Sequence, residues 1–377
     1  MEKLSRRDFV KLMALGAGAA VCPLAARTAL GGETKADSGR LSDHEALAYE
    51  KLPDRKVHCL LCPRGCTVSD GERGYCGVRE NRGGTYRTLV YARPCALHVD
   101  PIEKKPLFHF LPGTMAFSLA TAGCNVECKF CQNWQISQSR PEDLDSVVCP
   151  PSRIAEIAQQ AGCPTIAYTY NEPTVFHEYV LDCAREGNKK GLRSVVISNG
   201  FINAEPLKNL CKELAAYKVD LKAFSEEFYR KTVGGELGPV LKTLQLLKEL
   251  RMHTETVTLL IPGLNDSPEE VRQMAAWVVK NLGADVPMHF TRFQPNYKMT
   301  NLSPTPVAAL ERARDIAKAQ GVRYAYVGNV AGHKYENTYC HKCDKKIIGR
   351  YSFRILETHL RDGHCEFCGA SIPGVWS

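Results

Sequence analysis

The stretch MAFSLATAGCNVECKFCQNW, residues 115–134, joins an apolar run to three closely spaced cysteines. The run MAFSLAT has the pattern of a buried β-strand, and strand and helix patterns then alternate as far as residue 328. Such alternation predicts parallel strands covered by helices. A loop that follows one of these strands lies at the mouth of a β/α barrel, where cofactors bind. This stretch therefore predicts the fold and the position of a cofactor loop.

The three cysteines have the spacing C-x3-C-x2-C, at Cys124, Cys128 and Cys131. Three thiolates around a four-iron cluster leave one iron open to a ligand that is not protein, and an open position is typical of a reactive metal centre. Phe130 fits a hydrophobic shell around such a cluster. The alternatives are that the triplet belongs to a zinc site or consists of buried thiols.

The alternation predicts an α/β fold, a partial (β/α)6 barrel of the TIM type with one more strand or a cap. The predicted strands are 115–121, 165–170, 194–198, 218–224, 253–261, 287–293 and 322–328. The predicted helices are 152–161, 174–190, 204–215, 238–250, 268–282 and 304–320.

Polar side chains recur at the ends of these strands. They are Asn171 and Glu172, Ser198 and Asn199, Asp220 and Lys222, Asn265 and Asp266, and on the sixth strand His289, Arg292 and Gln294. Together they offer acceptors for an ammonium group and for hydroxyls, and a cation for a carboxylate. One such residue alone is more often a helix cap or a structural polar group. Their recurrence at successive strand ends favours a binding site.

A second cysteine group precedes the barrel. Cys59, Cys62, Cys66 and Cys76 have the spacing C-x2-C-x3-C-x9-C. Four thiolates can close around one metal ion or one cluster, so structural zinc and an auxiliary iron–sulfur cluster both fit. The pattern slightly favours zinc, and unpaired buried thiols are the remaining alternative.

A third group lies near the C-terminus, where CHKC and CEFC contribute Cys340, Cys343, Cys365 and Cys368. Two C-x2-C pairs at this separation resemble a zinc ribbon and predict a zinc ion. The basic residues between the pairs are Lys345, Lys346, Arg350 and Arg354. Such residues more often form a solvated face than a nucleic-acid site, and a net charge of +8 over 377 residues is mild. We therefore expect no nucleic-acid partner.

The first residues have the order of an export signal. Arg6 and Arg7 precede a Gly- and Ala-rich apolar run over 12–21 that is too short to span a bilayer. The paired arginines resemble a twin-arginine (Tat) signal, and the alternative is a cytoplasmic protein with a basic start. The predicted organisation is a signal peptide over 1–32, a Cys-rich module over 33–110, the barrel over 111–332 and a zinc-ribbon-like module over 333–377. We expect no transmembrane anchor in the mature chain.

An ordered series of segments carries a closer resemblance. The segments are CLLCPRGC (59–66), RGYCGVREN (73–81), DPIEKKPLFHFLPG (100–113), AGCNVECKFCQNW (122–134), YTYNEPTVF (168–176), VVISNGF (195–201), VDLKAF (219–224), LLIPGLNDS (259–267) and HFTRFQPNYKM (289–299). In this order they resemble the AmmeMemoRadiSam radical S-adenosylmethionine (SAM) enzymes, relatives of pyruvate formate-lyase activating enzyme. The resemblance extends from about residue 45 to 335 and implies a barrel of the radical SAM type with flanking Cys-rich metal modules.

This resemblance also implies roles for the site residues. Cys124, Cys128 and Cys131 would hold a 4Fe-4S cluster that cleaves SAM to a 5'-deoxyadenosyl radical. Residues 171–173 would replace the Gly-Gly-Glu motif beside the SAM amino group, and Asp220 and Lys222 would face the ribose and the carboxylate. Ser198 and Asn199 complete the predicted SAM site.

The likeness to activating enzymes implies hydrogen abstraction from a substrate that is itself a protein. It further implies an electron donor, with AMMECR- and Memo-type proteins as partners. Two other functions are open at this point. One is a non-catalytic zinc-binding interaction module, and the other is SAM-dependent methyl transfer on the same cluster.

Overall fold

The computed structural model describes residues 41–377, and the predicted Tat signal over 1–32 lies outside them. The N-terminal part of this range contains six short strands. They are β1 (His44–Glu45), β2 (Tyr49–Lys51), β3 (Val57–Cys59), β4 (Thr67–Val68), β5 (Arg79–Arg82) and β6 (Thr85–Thr88). Strands β1, β6 and β5 form one antiparallel sheet, and β2, β3 and β4 form another.

The central sheet has eight strands that lie side by side in chain order. They are β7 (Ala96–Pro101), β8 (Met115–Ala120), β9 (Thr165–Tyr168), β10 (Arg193–Ser198), β11 (Ala216–Asp220), β12 (His253–Leu260), β13 (Met288–Arg292) and β14 (Ala325–Gly328). Strands β8 to β14 are parallel, whereas β7 is antiparallel to β8. Because the carboxyl ends of parallel strands meet at one edge, their loops form a common mouth. Within the described residues no ladder joins β7 to β14, so the barrel is open.

The outer face of the sheet is covered by helices. They are α2 (Pro151–Gln160), α3 (His177–Lys189), α4 (Ala204–Cys211), α6 (Leu237–Glu249), α7 (Pro268–Asn281) and α8 (Val307–Ala319), whereas the short helices α1 (Trp134–Ser137) and α5 (Glu226–Phe228) lie beside the three-cysteine loop. Single turns of 3-10 helix lie at Ile102–Lys104, Pro141–Asp143, Pro173–Phe176 and Lys334–Glu336, and a π turn lies at Tyr229–Val233. In residues 41–377, none of the helices has the length and apolar composition needed to cross a membrane.

Successive side chains along a β-strand point to opposite faces of the sheet, and here the two faces belong to two separate apolar cores. On β10, Val196 faces outward into the large core beneath the helices. Its neighbour Val195 faces inward, into a smaller core with Leu107 and Phe110. The segment over 107–111 therefore fills the barrel at the end opposite the mouth.

Glu255 of β12 holds this segment in place. Its carboxylate accepts hydrogen bonds from the backbone N–H groups of Phe108 (3.0 Å) and His109 (2.8 Å), and His289 Nε2 lies 2.7 Å from the same group. Because Glu255 is buried, these hydrogen bonds replace the ones that water would make to its carboxylate.

The C-terminal part of the chain forms a separate group of short strands. They are β15 (Thr338–Tyr339), β16 (Lys346–Tyr351), β17 (Arg354–Thr358), β18 (Leu360–Arg361) and β19 (His364–Cys365). Strands β15 to β17 form a sheet, and β18 pairs with β19. This module packs on the barrel because Ile347 and Cys340 share a core with Tyr326 and Phe108.

All seven predicted strands and all six predicted helices are present, with shifts of a few residues at their ends. The fold class is confirmed. The sequence prediction lacked β7, which lies inside the predicted N-terminal module over 33–110 but belongs to the barrel sheet. Its residues ALHVDP include two polar side chains and a proline, so their composition does not indicate a strand. The predicted module boundary at residue 110 therefore cuts into the barrel.

Candidate metal and cofactor site

The three-cysteine loop leaves the carboxyl end of β8 and is fixed by backbone hydrogen bonds. Glu127 N donates to Val233 O and Lys129 N donates to Thr232 O, both at 2.9 Å. The two acceptors belong to the π turn Tyr229–Val233 that follows α5. The loop is thus held by a segment far away in the chain, which keeps its cysteines in one arrangement.

Gly123, directly before the first cysteine, has no room for a side chain. Its φ is 87°, a conformation that favours glycine. A Cβ atom at this position would lie 2.6 Å from Val78 Cγ1 and 2.7 Å from Cys76 O. The cysteine loop and the N-terminal module are therefore in backbone contact at this glycine.

The thiol of Cys128 lies in an apolar shell. Cys128, Val126 and Phe130 are all buried and belong to the same apolar core. Burial raises the pKa of Cys128 to about 12, although the Lys222 ammonium group opposes this shift. A metal that binds here has to displace the proton, because only the thiolate is a ligand.

Polar groups approach the other two sulfurs of the triplet. Asn199 Nδ2 lies 4.0 Å from Cys124 Sγ, and Ser137 Oγ lies 3.2 Å from Cys131 Sγ. Hydrogen-bond donors and a nearby cation stabilise an anionic iron–sulfur cluster. The residues around the triplet therefore fit a 4Fe-4S cluster.

The spacing of the triplet differs from that of a single-ion site. Within residues 41–377, one group of three or more metal-ligating side chains has all its ligand atoms within 4.8 Å of one another, and it is the C-terminal cysteine group. The triplet does not meet this limit, so at least two of its sulfurs lie more than 4.8 Å apart. A cuboidal cluster separates its thiolates more widely than one zinc ion does, so this spacing favours the cluster over zinc.

Glu172 joins the carboxyl ends of β9 and β10. One carboxylate oxygen accepts hydrogen bonds from Thr174 N (3.0 Å), Thr174 Oγ1 (2.7 Å) and Ser198 Oγ (2.8 Å), and the other accepts one from Asn199 N (2.8 Å). Burial raises the pKa of Glu172 even though these bonds favour its charged form. Both oxygens are thus engaged in holding the two loops together.

The Asn171 side chain has one hydrogen-bond acceptor without a partner among the described residues. Its Nδ2 donates to Thr121 O (2.8 Å) and Gly123 O (2.7 Å) at the start of the cysteine loop. Its Oδ1 is buried and has no hydrogen-bond partner among the described residues. A buried acceptor without a partner is unfavourable, so this oxygen is suited to a ligand with an N–H group.

Asp220 lies between two lysines on the barrel side of β11. It forms ion pairs with Lys218 and, at 3.4 Å, with Lys222. Burial opposes the charged form of Asp220, but the two ammonium groups outweigh it and its pKa is lowered. The sequence analysis missed Lys218, although the alternation in KVDLK places Lys218, Asp220 and Lys222 on one face.

Three polar residues predicted for the strand ends have structural partners. His289 is near the start of β13 and binds Glu255 at the closed end of the barrel, so it does not belong to the mouth. Asn265 Nδ2 donates to Lys222 O (2.7 Å), and Arg292 Nε donates to the carbonyl of residue 305 (2.9 Å). These two side chains stabilise loops at the mouth.

The N-terminal four cysteines are also brought together. Cys59 N donates to Cys66 O (2.9 Å). Burial raises the pKa of Cys62 to about 12, and the nearby thiols of Cys59, Cys76 and Cys66 add to the shift. The four thiols are therefore neighbours in space.

The C-terminal four cysteines form the tightest group. Cys340 Sγ lies 3.6 Å from Cys368 Sγ, and Cys343 Sγ lies 3.8 Å from Cys365 Sγ. All four sulfurs lie within 4.8 Å of one another. This module can therefore hold one metal ion.

Two of the basic residues in this module are engaged within the fold. Arg350 is buried and donates to Phe108 O (2.9 Å) and Thr338 Oγ1 (2.7 Å). Lys346 Nζ lies 2.5 Å from Glu357. The charge run therefore offers fewer free cations than its sequence indicates.

Comparisons with known proteins agree with this site. The family model described as the radical SAM superfamily matches residues 118–278, which include the cysteine triplet. The chain is 43% identical over 333 residues to Uncharacterized protein MJ0808 of Methanocaldococcus jannaschii, covering 88% of this chain and 99% of that protein.

Two solved structures are more distant. A domain of pyruvate-formate lyase-activating enzyme from Bacteroides vulgatus is 14% identical, with a TM-score of 0.39 over 43% of this chain and 98% of that one. A radical SAM methyltransferase from Sphaerobacter thermophilus is 19% identical, with a TM-score of 0.45 over 58% of this chain and 67% of that one. From the family match, the long relative and the cysteine loop at the barrel mouth, we conclude that this chain belongs to the radical SAM superfamily.

Proposed function

We propose that this protein is an enzyme that uses a 4Fe-4S cluster on Cys124, Cys128 and Cys131 to cleave SAM and abstract hydrogen from a protein substrate. When bound, the cluster supplies one electron to the sulfonium of SAM, which yields methionine and a 5'-deoxyadenosyl radical. The observation that carries this proposal is the thiol triplet on the loop after the carboxyl end of β8, whose sulfurs are not all within 4.8 Å of one another. The ordered motif resemblance to activating enzymes supports a protein as the substrate.

Three residues at the mouth have the chemistry that SAM requires. The unpartnered Oδ1 of Asn171 is our proposed acceptor for the SAM ammonium group. Lys222, whose ammonium group is close enough to Cys128 to oppose its pKa shift, would pair with the SAM carboxylate. Asp220 keeps 31% of its side chain exposed and would accept hydrogen bonds from the ribose hydroxyls.

We propose that the other predicted SAM residues, Glu172, Ser198 and Asn199, position groups around the cluster and do not contact SAM. Glu172 holds Ser198 and Asn199 by hydrogen bonds, and Asn199 in turn directs an amide N–H toward Cys124 Sγ at 4.0 Å. We propose that Glu172 fixes this donor and does not itself bind SAM, since its oxygens already accept four hydrogen bonds.

For the C-terminal module we propose a structural zinc ion. A Zn–S distance of about 2.3 Å implies sulfurs roughly 3.8 Å apart in a tetrahedral site. The observed separations of 3.6 and 3.8 Å agree with this value. A closed set of four thiolates is typical of a structural site.

The test is SAM cleavage by the full chain, reconstituted with iron and sulfide without oxygen. Under a strong reductant the wild-type protein should release 5'-deoxyadenosine, and Cys128→Ala should reduce the release to background. The matched control is Cys211→Ala, a cysteine on α4 outside all three cysteine groups, which should keep wild-type release.

Product analysis separates the remaining alternatives. Equal release of 5'-deoxyadenosine by wild type and Cys128→Ala would refute the proposed function. S-adenosylhomocysteine as the main product would instead identify methyl transfer. Zinc in all three cysteine groups with no SAM binding would identify a non-catalytic module.

The cellular setting rests on the sequence alone. We propose export by the Tat signal, a dedicated electron donor, and AMMECR- and Memo-type partners. Fractionation of cells that express the tagged full chain tests export, and a chain found in the cytoplasm with its first residues intact would contradict it.

A further inference from the structure

The N-terminal four cysteines do not have the spacing of the C-terminal four. In the C-terminal module all sulfurs lie within 4.8 Å of one another, whereas no three of Cys59, Cys62, Cys66 and Cys76 meet this criterion. The triplet of the SAM site fails it as well. The N-terminal quartet therefore shares one property with the triplet: its sulfurs are not gathered as closely as those of the single-ion site in the same molecule.

The quartet also lies directly against the SAM-site loop. The carbonyl of Cys76 is 2.7 Å from the position that a Cβ on Gly123 would occupy, and Gly123 precedes Cys124 in the chain. The Val78 side chain reaches the same position, with its Cγ1 at 2.6 Å, so the backbone that follows Cys76 packs directly on the residue before Cys124.

The loop between Cys62 and Cys66 also contacts the SAM-site loop. Arg64 Nε donates to Asn125 O at 2.7 Å, and its guanidinium lies 3.4 Å from the centre of the Tyr75 ring. The Tyr75 hydroxyl donates to Glu127. Residues of the quartet loops thus contact the chain on both sides of Cys124 and up to Glu127.

The quartet has a suitable charge environment for a bound cluster. Arg79 is fully buried, and its guanidinium is close enough to Cys59 and Cys76 for its positive charge to act on both sulfurs. A nearby guanidinium offsets the negative charge of thiolates. Cys66 and Cys76 are half-buried, so the group is near the protein surface.

We propose that Cys59, Cys62, Cys66 and Cys76 hold a second 4Fe-4S cluster, through which electrons enter the SAM-cleaving site. This assignment replaces the zinc that the sequence pattern slightly favoured. Four protein thiolates leave no iron open, so the second cluster binds no SAM and serves electron transfer.

The electron balance is simple. A low-potential one-electron donor of the ferredoxin class reduces the second cluster, and that cluster is reoxidised when the electron passes to the first. The metal assignment stands without the proposed function, whereas the electron-entry role rests on it.

The metal content of a triplet variant tests the assignment. Cys124→Ala/Cys128→Ala/Cys131→Ala, purified without oxygen, should retain roughly four irons and four sulfides per chain, with one zinc in the C-terminal module. After reduction it should show an electron paramagnetic resonance signal that SAM does not change. Adding Cys59→Ala/Cys62→Ala should remove this iron, and Cys211→Ala alone should keep the iron content of wild type.

A triplet variant with about two zinc ions and no iron would overturn the assignment. If that variant fails to fold, wild type decides the question, because two clusters require about eight irons per chain and one requires about four. Absence of 5'-deoxyadenosine from a wild-type chain that holds about eight irons would refute the proposed function and leave the second cluster standing.

Comparing two reductants tests whether electrons enter through the second cluster. In Cys62→Ala the ratio of 5'-deoxyadenosine release driven by reduced ferredoxin to release driven by dithionite should fall roughly tenfold or more, because the small reductant can reach the first cluster directly. Equal loss with both reductants, or no loss with ferredoxin, would refute electron entry through the quartet.

Discussion

Single residues around the cysteine triplet have little freedom to vary. Cys128 is 6% exposed, Gly123 is in contact with another backbone, and the Asn171 amide binds two carbonyls at the loop entrance. Each of these contacts sets the direction of the loop that carries the thiols. Small changes here should therefore affect metal binding as well as stability.

Gly123→Ala should be more damaging than an ordinary glycine replacement. A positive φ alone costs an alanine about 1–2 kcal/mol, and the contacts at 2.6 and 2.7 Å should add roughly 1–3 kcal/mol. The free energy of unfolding and the iron content per chain should both fall. Chemical denaturation and iron analysis measure these effects.

Gly162→Ala is the matched control for this change. Gly162 has a φ of 66°, but nothing lies within 4 Å of its added Cβ. It should show the conformational strain alone and normal iron content. Equal effects of the two substitutions would mean that the contact with Cys76 is unimportant.

At the scale of elements, β12 connects the two ends of the barrel. Its Glu255 binds the 107–111 segment and His289 at the closed end. Its neighbour β11 carries Asp220 at the open end. A change at Glu255 should therefore lower stability without direct damage to the cysteine site.

Glu255→Gln should destabilise the fold by about 1–3 kcal/mol, because an amide N–H then faces backbone donors that need an acceptor. Burial opposes the charge of Glu255, but His253 and His289 outweigh it and hold its pKa well below the ordinary value of 4.5. A lowered carboxyl pKa contributes stability above that ordinary value and loses it as the pH falls. The difference between variant and wild type should therefore shrink below about pH 4.5.

Denaturation at several pH values measures this difference. The control is Glu249→Gln, an exposed residue at the end of α6, which should change stability by less than about 0.5 kcal/mol. A difference that stays constant or grows in acid would contradict the assigned charge state of Glu255.

At the scale of the whole molecule, buried ion pairs and hydrogen bonds attach both cysteine modules to the barrel. Arg79 of β5 pairs with Glu178 of α3, with Nη1 to Oε1 at 3.0 Å, and both side chains are 1% exposed. Arg350 of β16 donates to Phe108 O in the barrel segment. The proposed redox path requires the first of these attachments to be rigid.

Glu178→Leu should destabilise the chain by about 3–5 kcal/mol, because it leaves the buried Arg79 charge without a partner. Arg79→Met/Glu178→Leu should recover much of this loss, because an apolar pair of similar size removes both charges. Denaturation of wild type, the two single variants and the double variant measures the coupling. Additive effects would show that the two residues do not act as a pair.

The sequence alone determined the barrel and the cysteine triplet. Apolar residues recur every two residues along a strand and every 3.6 residues along a helix. Both repeats are visible within a short stretch of sequence. The three thiols lie within eight residues, so the covalent chain itself keeps them close. The two flanking groups were likewise recognised from C-x2-C spacing.

Only the tertiary structure decided which polar groups face a ligand and which are occupied. Asn171 and Glu172 are adjacent in the chain, yet one keeps a free acceptor and the other has none, because their partners come from different loops. The place of β7 in the sheet and the contact of Cys76 with Gly123 also join residues that are not neighbours in the chain. Such contacts have no period or spacing in the sequence, since they arise when separate elements pack.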